Sequence, residues 1–268
     1  MKKFKKLRIA DFEINAKKRV IRPLLADTDT VFTKVLEEEL KDKDLKYRYQ
    51  KGVTYLYADN NLIIRADKKK GMTYLCLPDT KKLPTDFLTK NNTVEYFLAP
   101  NVRHIGMYVL SCNNKIKHLH LPKVRFIDKA FMLDNHVLET ILTPVVRYIG
   151  HYSFRETKAK QFIAPLLEYV GRDVFIRANL MQLISAPALW AAERGFVAVN
   201  NRMTRFYAPK FYPEYYGSHL TDEDKAFYLH PKRNVLLKNK ANIQKICKKE
   251  TFLERLLLNF QNRLVNFR

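Results

Sequence analysis

Seven prolines set the frame of this chain. Pro78, Pro100, Pro122, Pro144, Pro165, Pro187 and Pro209 lie 22, 22, 22, 21, 22 and 22 residues apart. A fixed period in this range is the signature of a solenoid, in which each repeat forms one turn of a coil stacked on the next. One such turn cannot bury its own apolar face, so its stability has to come from the turns above and below.

The flanks repeat with the prolines. Six, three and one positions before them stand Val94, Phe97, Ala99, then Ile116, Leu119, Leu121, then Leu138, Ile141, Thr143, and so on to Phe206 and Ala208. The last three positions alternate as a half-buried strand does. Proline just after such a strand is tolerated because that position leaves the hydrogen-bond ladder. Five residues beyond the prolines come Leu83, Ile105, Ile127, Ile149 and Val170, with Gly106, Gly150 and Gly171 directly after three of them and Asp128 after another. Gly or Asp in that slot suggests a turn of positive φ. A large apolar plug follows in each turn: Phe87, Leu110, Phe131, Phe154, Phe175 and Phe196. The expected architecture is a right-handed coil carrying one parallel β-sheet of about seven short strands, with a short helical or irregular convex side and helical ends.

The segment LHLPKVRFIDKAFMLDNHVLETILTPVVRYIGHYSF resembles the BspA-type (Treponema-type) leucine-rich repeat. Each repeat of that family reads as apolar strand, Pro, V-x-x-I-G, small-Phe and a polar-Cys-polar loop, and Ser111-Cys112-Asn113-Asn114 fits the loop. The resemblance spans residues 72–210, with Ala192-Glu193 standing in place of the I-G pair in a late turn. It implies a leucine-rich-repeat fold with Cys112 in the core. Because members of the family are mostly secreted or surface adhesion and ligand-binding proteins, it also implies binding rather than catalysis.

Solenoid ends expose a core edge and need caps. Residues 1–50 are expected as a basic N-terminal segment with one helix, in which Thr28 or Asp29 can cap a stretch whose Val31, Val35, Leu36 and Leu40 share a face. Glu37-Glu38-Glu39 on that helix reads as a solvated charge run. Residues 51–71 suggest a β-hairpin cap, residues 72–216 the leucine-rich repeats, and residues 217–268 a basic helical C-terminal cap. In the last segment Ile243, Ile246, Leu253, Leu256, Leu257, Phe260 and Leu264 form a helical stripe. Such a stripe either docks on the solenoid or meets a partner or a membrane surface.

Lys and Arg total 49 against 27 Asp and Glu, a net charge of +22. That surplus disfavours self-association, so a monomer is expected, and it calls for an anionic partner or surface. Residues 1–24 hold nine basic and two acidic side chains, and residues 225–268 hold eleven and two, so the two ends supply +16 of the +22. Basic ends of this kind can grip phosphates with salt-sensitive affinity. Nucleic acid or an anionic membrane surface is therefore the alternative partner.

No stretch approaches the ~18 consecutive apolar residues of a membrane span. Asp11 and Glu13 interrupt the basic opening before a signal-peptide core can form. Cys76, Cys112 and Cys247 are too far apart to spell a disulfide framework. These features point to the cytoplasm, or to delivery into a host cell by a Sec-independent route.

The outward strand positions include Tyr96, Leu98, Lys117, His118, His120, Thr140, Leu142, Gln161, Arg205 and Tyr207. Such a mixed polar and aromatic concave face suits another protein, since a nucleic-acid face is more uniformly basic. Arg103, Arg125 and Arg147, each three residues after a proline, form a cationic ladder, and with Lys248 and Lys249 of the tail they are the anion-binding candidates. His118 and His120 share a strand face but lack a third ligand at matching positions, so no metal site is expected. There is no Gly-rich phosphate loop, no G-x-S-x-G and no H-E-x-x-H. A non-enzymatic interaction module without a cofactor is the resulting expectation.

Overall fold

A computed structural model of the chain describes residues 30–67, 69–193, 195–196, 202 and 204–211, together with the backbone of three short strands nearer the N-terminus. Those are β1 (Leu7–Ile9), β2 (Phe12–Asn15) and β3 (Val20–Pro23), an antiparallel sheet. Next come α1 (Thr30–Leu40) and a meander of four antiparallel strands, β4 (Leu45–Gln50), β5 (Val53–Ala58), β6 (Asn61–Asp67) and β7 (Gly71–Cys76). The hairpin expected within 51–71 is thus β5 and β6 inside a larger sheet. The segment 217–268, with Lys248 and Lys249, lies outside the described residues, as do the side chains of residues 1–24.

Beyond β7 the chain is a β-solenoid of about six turns. Two kinds of strand alternate: β8 (Lys82–Leu83), β9 (Tyr96–Leu98), β10 (His104–Ile105), β11 (His118–His120), β12 (Phe126–Ile127), β13 (Thr140–Leu142), β14 (Tyr148–Ile149), β15 (Gln161–Ile163), β16 (Tyr169–Val170), β17 (Leu183–Ser185), β18 (Ala191–Ala192) and β19 (Arg205–Tyr207). The three-residue strands before the prolines form a parallel sheet from β11 to β19, and β9 pairs in parallel with β7. The two-residue strands form a second parallel sheet of six, β8 to β18. The sequence expectation of one sheet needs correction here. The V-x-x-I pairs also lie in register, Ile105 beside Ile127 and Ile127 beside Ile149, so they bond between turns as the longer strands do.

Of the two alternatives for the convex side, helical or irregular, the described turns take the irregular one. Each of the first four turns places three alternate residues at positive φ: Asp86, Leu88, Lys90; Tyr108, Leu110, Cys112; Ala130, Met132, Asp134; and Tyr152, Phe154, Glu156. A left-handed conformation costs an L-residue roughly 1–2 kcal/mol, and here it is held by hydrogen bonds in both directions. In the second turn the Tyr108 amide donates to Lys129 O of the next turn at 3.0 Å, and the Leu110 amide donates to Phe87 O of the previous turn at 2.9 Å. Cys112 N donates upward again, to Leu133 O at 2.7 Å. No Val, Ile or Thr occupies any of these twelve slots. That composition is what left-handed backbone requires, since branching at Cβ makes the conformation a genuine outlier.

The glycines serve a different purpose from the one their position suggested. Gly106, Gly150 and Gly171 do not have positive φ. Instead, a Cβ on Gly106 would sit 2.7 Å from Thr85 N, and one on Gly150 would sit 2.7 Å from Asp128 C. The turns approach each other backbone to backbone at this slot, and hydrogen lets them do so.

Inside the coil the repeated apolar set is buried, among the described residues, from Met72 to Ala208. The plugs make a column of rings: Phe131 meets Phe154 edge-on at 5.5 Å, and Phe154 stacks on Phe175 at 5.8 Å. At the N-terminal end Phe32 of α1 reaches Phe87 at 5.8 Å, and Phe32, Leu36 and Leu40 are buried. Helix α1 therefore covers the end of the coil.

Buried polar groups tie the turns together. Asn113 donates to Asn91 O at 2.6 Å and to Val94 O at 3.2 Å, while its Oδ1 accepts from Lys115 N and Ile116 N, each at 2.9 Å. Asn135 repeats the arrangement one turn later, donating to Ile116 O. Thr157 takes the slot next and donates to Leu138 O at 2.9 Å. Thr143 is the exception: it occupies a buried slot that is Leu or Ala in other turns, and its Oγ1 has no hydrogen-bond partner. Thr143→Val removes that hydroxyl at nearly constant shape, and we expect a gain of about 1 kcal/mol, seen as a rise in Tm of ~2–4 °C. A lower Tm would show that the hydroxyl is satisfied in solution.

Candidate binding faces of the solenoid

Alternation along a three-residue strand sends its middle side chain inward and the two flanking ones outward. Phe97, Leu119, Ile141, Phe162, Ile184 and Phe206 are accordingly buried. The outward rows hold Tyr96, His118, Thr140, Gln161 and Arg205 at the first strand position, and Leu98, His120, Leu142 and Tyr207 at the third. The register brings neighbours of a row side by side, His118 beside Thr140 and His120 beside Leu142. His118 Nδ1 lies 3.2 Å from Thr140 Oγ1, and Lys117, one residue before the strand, reaches Glu139 at 3.9 Å.

Exposure varies along this face. Tyr96, Lys117, His118, Gln161 and Arg205 are exposed, whereas Leu98, His120, Thr140 and Tyr207 are half-buried. Leu142 departs from its expected role as a surface contact, being buried with 9% of its surface accessible. Alternation decides only the direction of a side chain, while what packs around it decides its exposure.

The second sheet presents another face, which the sequence revealed only in its cations. Lys81, Arg103, Arg125, Arg147, Glu168 and Trp190 occupy one position on successive turns, joined by main-chain bonds such as Arg125 N to Arg103 O at 2.9 Å. Lys82, His104, Phe126, Tyr148 and Tyr169 stand directly beside them. Arg147 bonds Glu168 at 2.9 Å, whereas Lys81, Lys82, Arg103 and Arg125 are exposed and form no ion pair among the described residues. His104 Nε2 meets Asp128 Oδ2 at 2.9 Å, and Tyr148 stacks on Tyr169 at 5.0 Å with planes 3° apart. Phe126 and Trp190 are 46% and 48% exposed. The signal that could have found this column is the run His104, Phe126, Tyr148, Tyr169, aromatic in four successive turns just before the inward apolar residue.

Within the Glu37-Glu38-Glu39 run, expected to be mostly solvated, Glu38 is exposed and Glu37 half-buried, and Glu39 alone departs. Glu39 is buried, and its carboxylate accepts from Asp79 N at 3.1 Å, Thr80 N at 2.9 Å, Thr80 Oγ1 at 2.7 Å and Lys43 Nζ at 2.7 Å. Burial lowers the pKa of Lys43, but its hydrogen bonds to Asp79 and Glu39 outweigh that and leave it raised. This cluster holds α1 onto the first turn and is structural. Beside it, a cavity of about 750 Å³ opens between α1 and the 79–84 loop.

The thiol of Cys76, on β7, is pushed up to about 11 by burial, so it is protonated at neutral pH. Among the described residues, no three His, Cys, Asp or Glu side chains gather closely enough to hold a metal ion, and no helix is long and apolar enough to cross a membrane. Compared with family models, with curated proteins and with solved structures, the chain matches none of them.

Proposed function

We propose that this chain is a non-enzymatic binding protein built on leucine-rich repeats of the BspA type, and that the outward rows of the longer strands capture another protein. The observation that carries this reading is that Tyr96, His118, Thr140, Gln161 and Arg205 each hold the outward first position of a strand, with His118 directly beside Thr140 and buried Leu183 between Gln161 and Arg205, so that rings, hydrogen-bonding groups and a cation recur at one strand position. Aromatic anchors among polar groups, with few strong ion pairs, are what a partner protein can dehydrate at modest cost. The rigidity of the stacked turns supports it further, because a preorganised face loses little conformational freedom on binding.

The test is a combined variant, Tyr96→Ser, His118→Glu, Gln161→Arg and Arg205→Glu, used beside the original protein as bait in quantitative affinity capture. These side chains are exposed, so Tm should change by no more than a few degrees. Proteins enriched by the original chain should be lost from the variant. Equal enrichment on both baits at equal Tm means that partners bind elsewhere.

A further inference from the structure

We infer that the face of the second sheet is a track for single-stranded nucleic acid, distinct from the protein-binding face proposed above. Three consecutive turns each carry a guanidinium and a ring at adjacent positions: Arg103 with His104, Arg125 with Phe126, and Arg147, which is bonded to Glu168, with Tyr148. Successive turns are hydrogen-bonded neighbours, so these pairs recur about every 4.8 Å along one line. A cation beside a ring, repeated along a line, matches a strand whose phosphates and bases also alternate sideways.

Charge complementarity identifies the occupant as a polyanion. Lys81, Lys82, Arg103 and Arg125 carry no counter-ion among the described residues, and the net charge of the chain is +22. Like charges held on neighbouring strands repel one another, and a line of phosphates relieves that repulsion while releasing counterions. The line ends at the cavity beside α1, where Lys34, Lys81 and Lys82 share the lining with Glu38, Glu39 and Asp79. From β8 to β18 the sheet spans five strand spacings, about 24 Å. That length takes about seven nucleotides at a rise of ~3.4 Å, and fewer if the strand is extended.

The rings favour a nucleic acid, whose bases stack flat on aromatic side chains, over polyglutamate or heparin, in which charge dominates. They also indicate where bases can sit. Tyr148 and Tyr169 already stack on each other at 5.0 Å, which leaves no room for a base between them. Phe126 and Trp190 are about half exposed and are the platforms open to solvent. A base–paired duplex hides its base faces in its own stack and gains nothing from such platforms.

The experiment is fluorescence anisotropy of the full chain with a labelled twelve-nucleotide single strand of RNA or DNA, at several salt concentrations. A duplex of equal length, heparin and polyglutamate serve as competitors. Phe126→Ala should weaken single-strand binding about fivefold or more, the lower end of what one base–aromatic stack supplies. Arg103→Glu with Arg125→Glu should weaken it further and reduce the slope of log K against log salt by about 1.4, two phosphate contacts' worth. Both sets of side chains are exposed, and an unchanged Tm certifies the fold. If heparin or duplex competes as well as the single strand and Phe126→Ala is without effect, the face reads charge alone and the proposal fails. Binding that survives the double arginine variant would move the site to another part of the chain and overturn it as well.

Discussion

Phe154→Ala is expected to destabilise the solenoid by about 4 kcal/mol. The ring is fully buried and touches Phe131 at 5.5 Å, Phe175 at 5.8 Å and Phe162 at 6.2 Å, so its removal opens a cavity between three turns at once. The backbone there has little freedom to close the gap. Phe154 sits at φ 56°, and its amide donates to Phe131 O at 3.0 Å. In a stacked-repeat protein the loss falls on the interfaces between neighbouring turns. Urea unfolding should therefore show a lower midpoint, and hydrogen exchange should quicken first in the turns around β13 to β16. Phe126→Ala provides the control, since that ring is 46% exposed and its removal should cost under about 0.5 kcal/mol. Equal midpoints for the two variants would show that the ring column is not what holds the turns together.

Glu39→Ala should cost about 3 kcal/mol, the loss expected when one member of a buried charged cluster is removed. Two backbone amides, a hydroxyl and the Lys43 ammonium all donate to this carboxylate, and of these donors Lys43 keeps a second carboxylate, Asp79, at 2.6 Å. The amide of Thr80 is the local reporter: its exchange should accelerate in the variant far more than that of Leu121, about two turns further along the stack, whose amide donates to Leu142 O. A Thr80 amide that stays protected would remove the clamp from the account.

The same cluster has a pH dependence whose sign follows from Lys43. Its pKa is raised above the ordinary 10.5, so the folded state holds that proton more tightly than the unfolded chain does. The stability it adds is fully present below about pH 10.5 and disappears as alkaline pH passes through the raised value. The difference between the original protein and Glu39→Ala should therefore narrow at strongly alkaline pH.

The repeat and its inward set were legible because period and alternation are properties of the chain alone. The face of the strands was half legible. His118 and Gln161 point outward as alternation requires, but Leu142 points outward too and is nonetheless buried. Gly106 and Gly150 stand out in the repeat, but for close approach rather than for the positive φ that their position suggests. A glycine written in sequence does not distinguish a need for positive φ from a need for close approach, and only the 2.7 Å backbone contacts decide between them. The left-handed slots left a fainter trace, since Val, Ile and Thr avoid them while Tyr, Leu, Phe and Met do not.

What the sequence by itself determined is the existence of the coil. Prolines about 22 residues apart, with apolar residues six, three and one positions before them, leave stacking as the way to bury Phe97, Leu119 and Ile141 together. Tertiary structure decided which groups share a surface. Arg103 and Arg125 are 22 residues apart in the chain yet joined by a main-chain hydrogen bond of 2.9 Å, and Glu39 reaches Thr80 across 41 residues. The physical reason is that a repeat period sets which residues occupy equivalent positions, whereas exposure, charge pairing and hydrogen-bond satisfaction depend on neighbours that only the folded stack brings within reach.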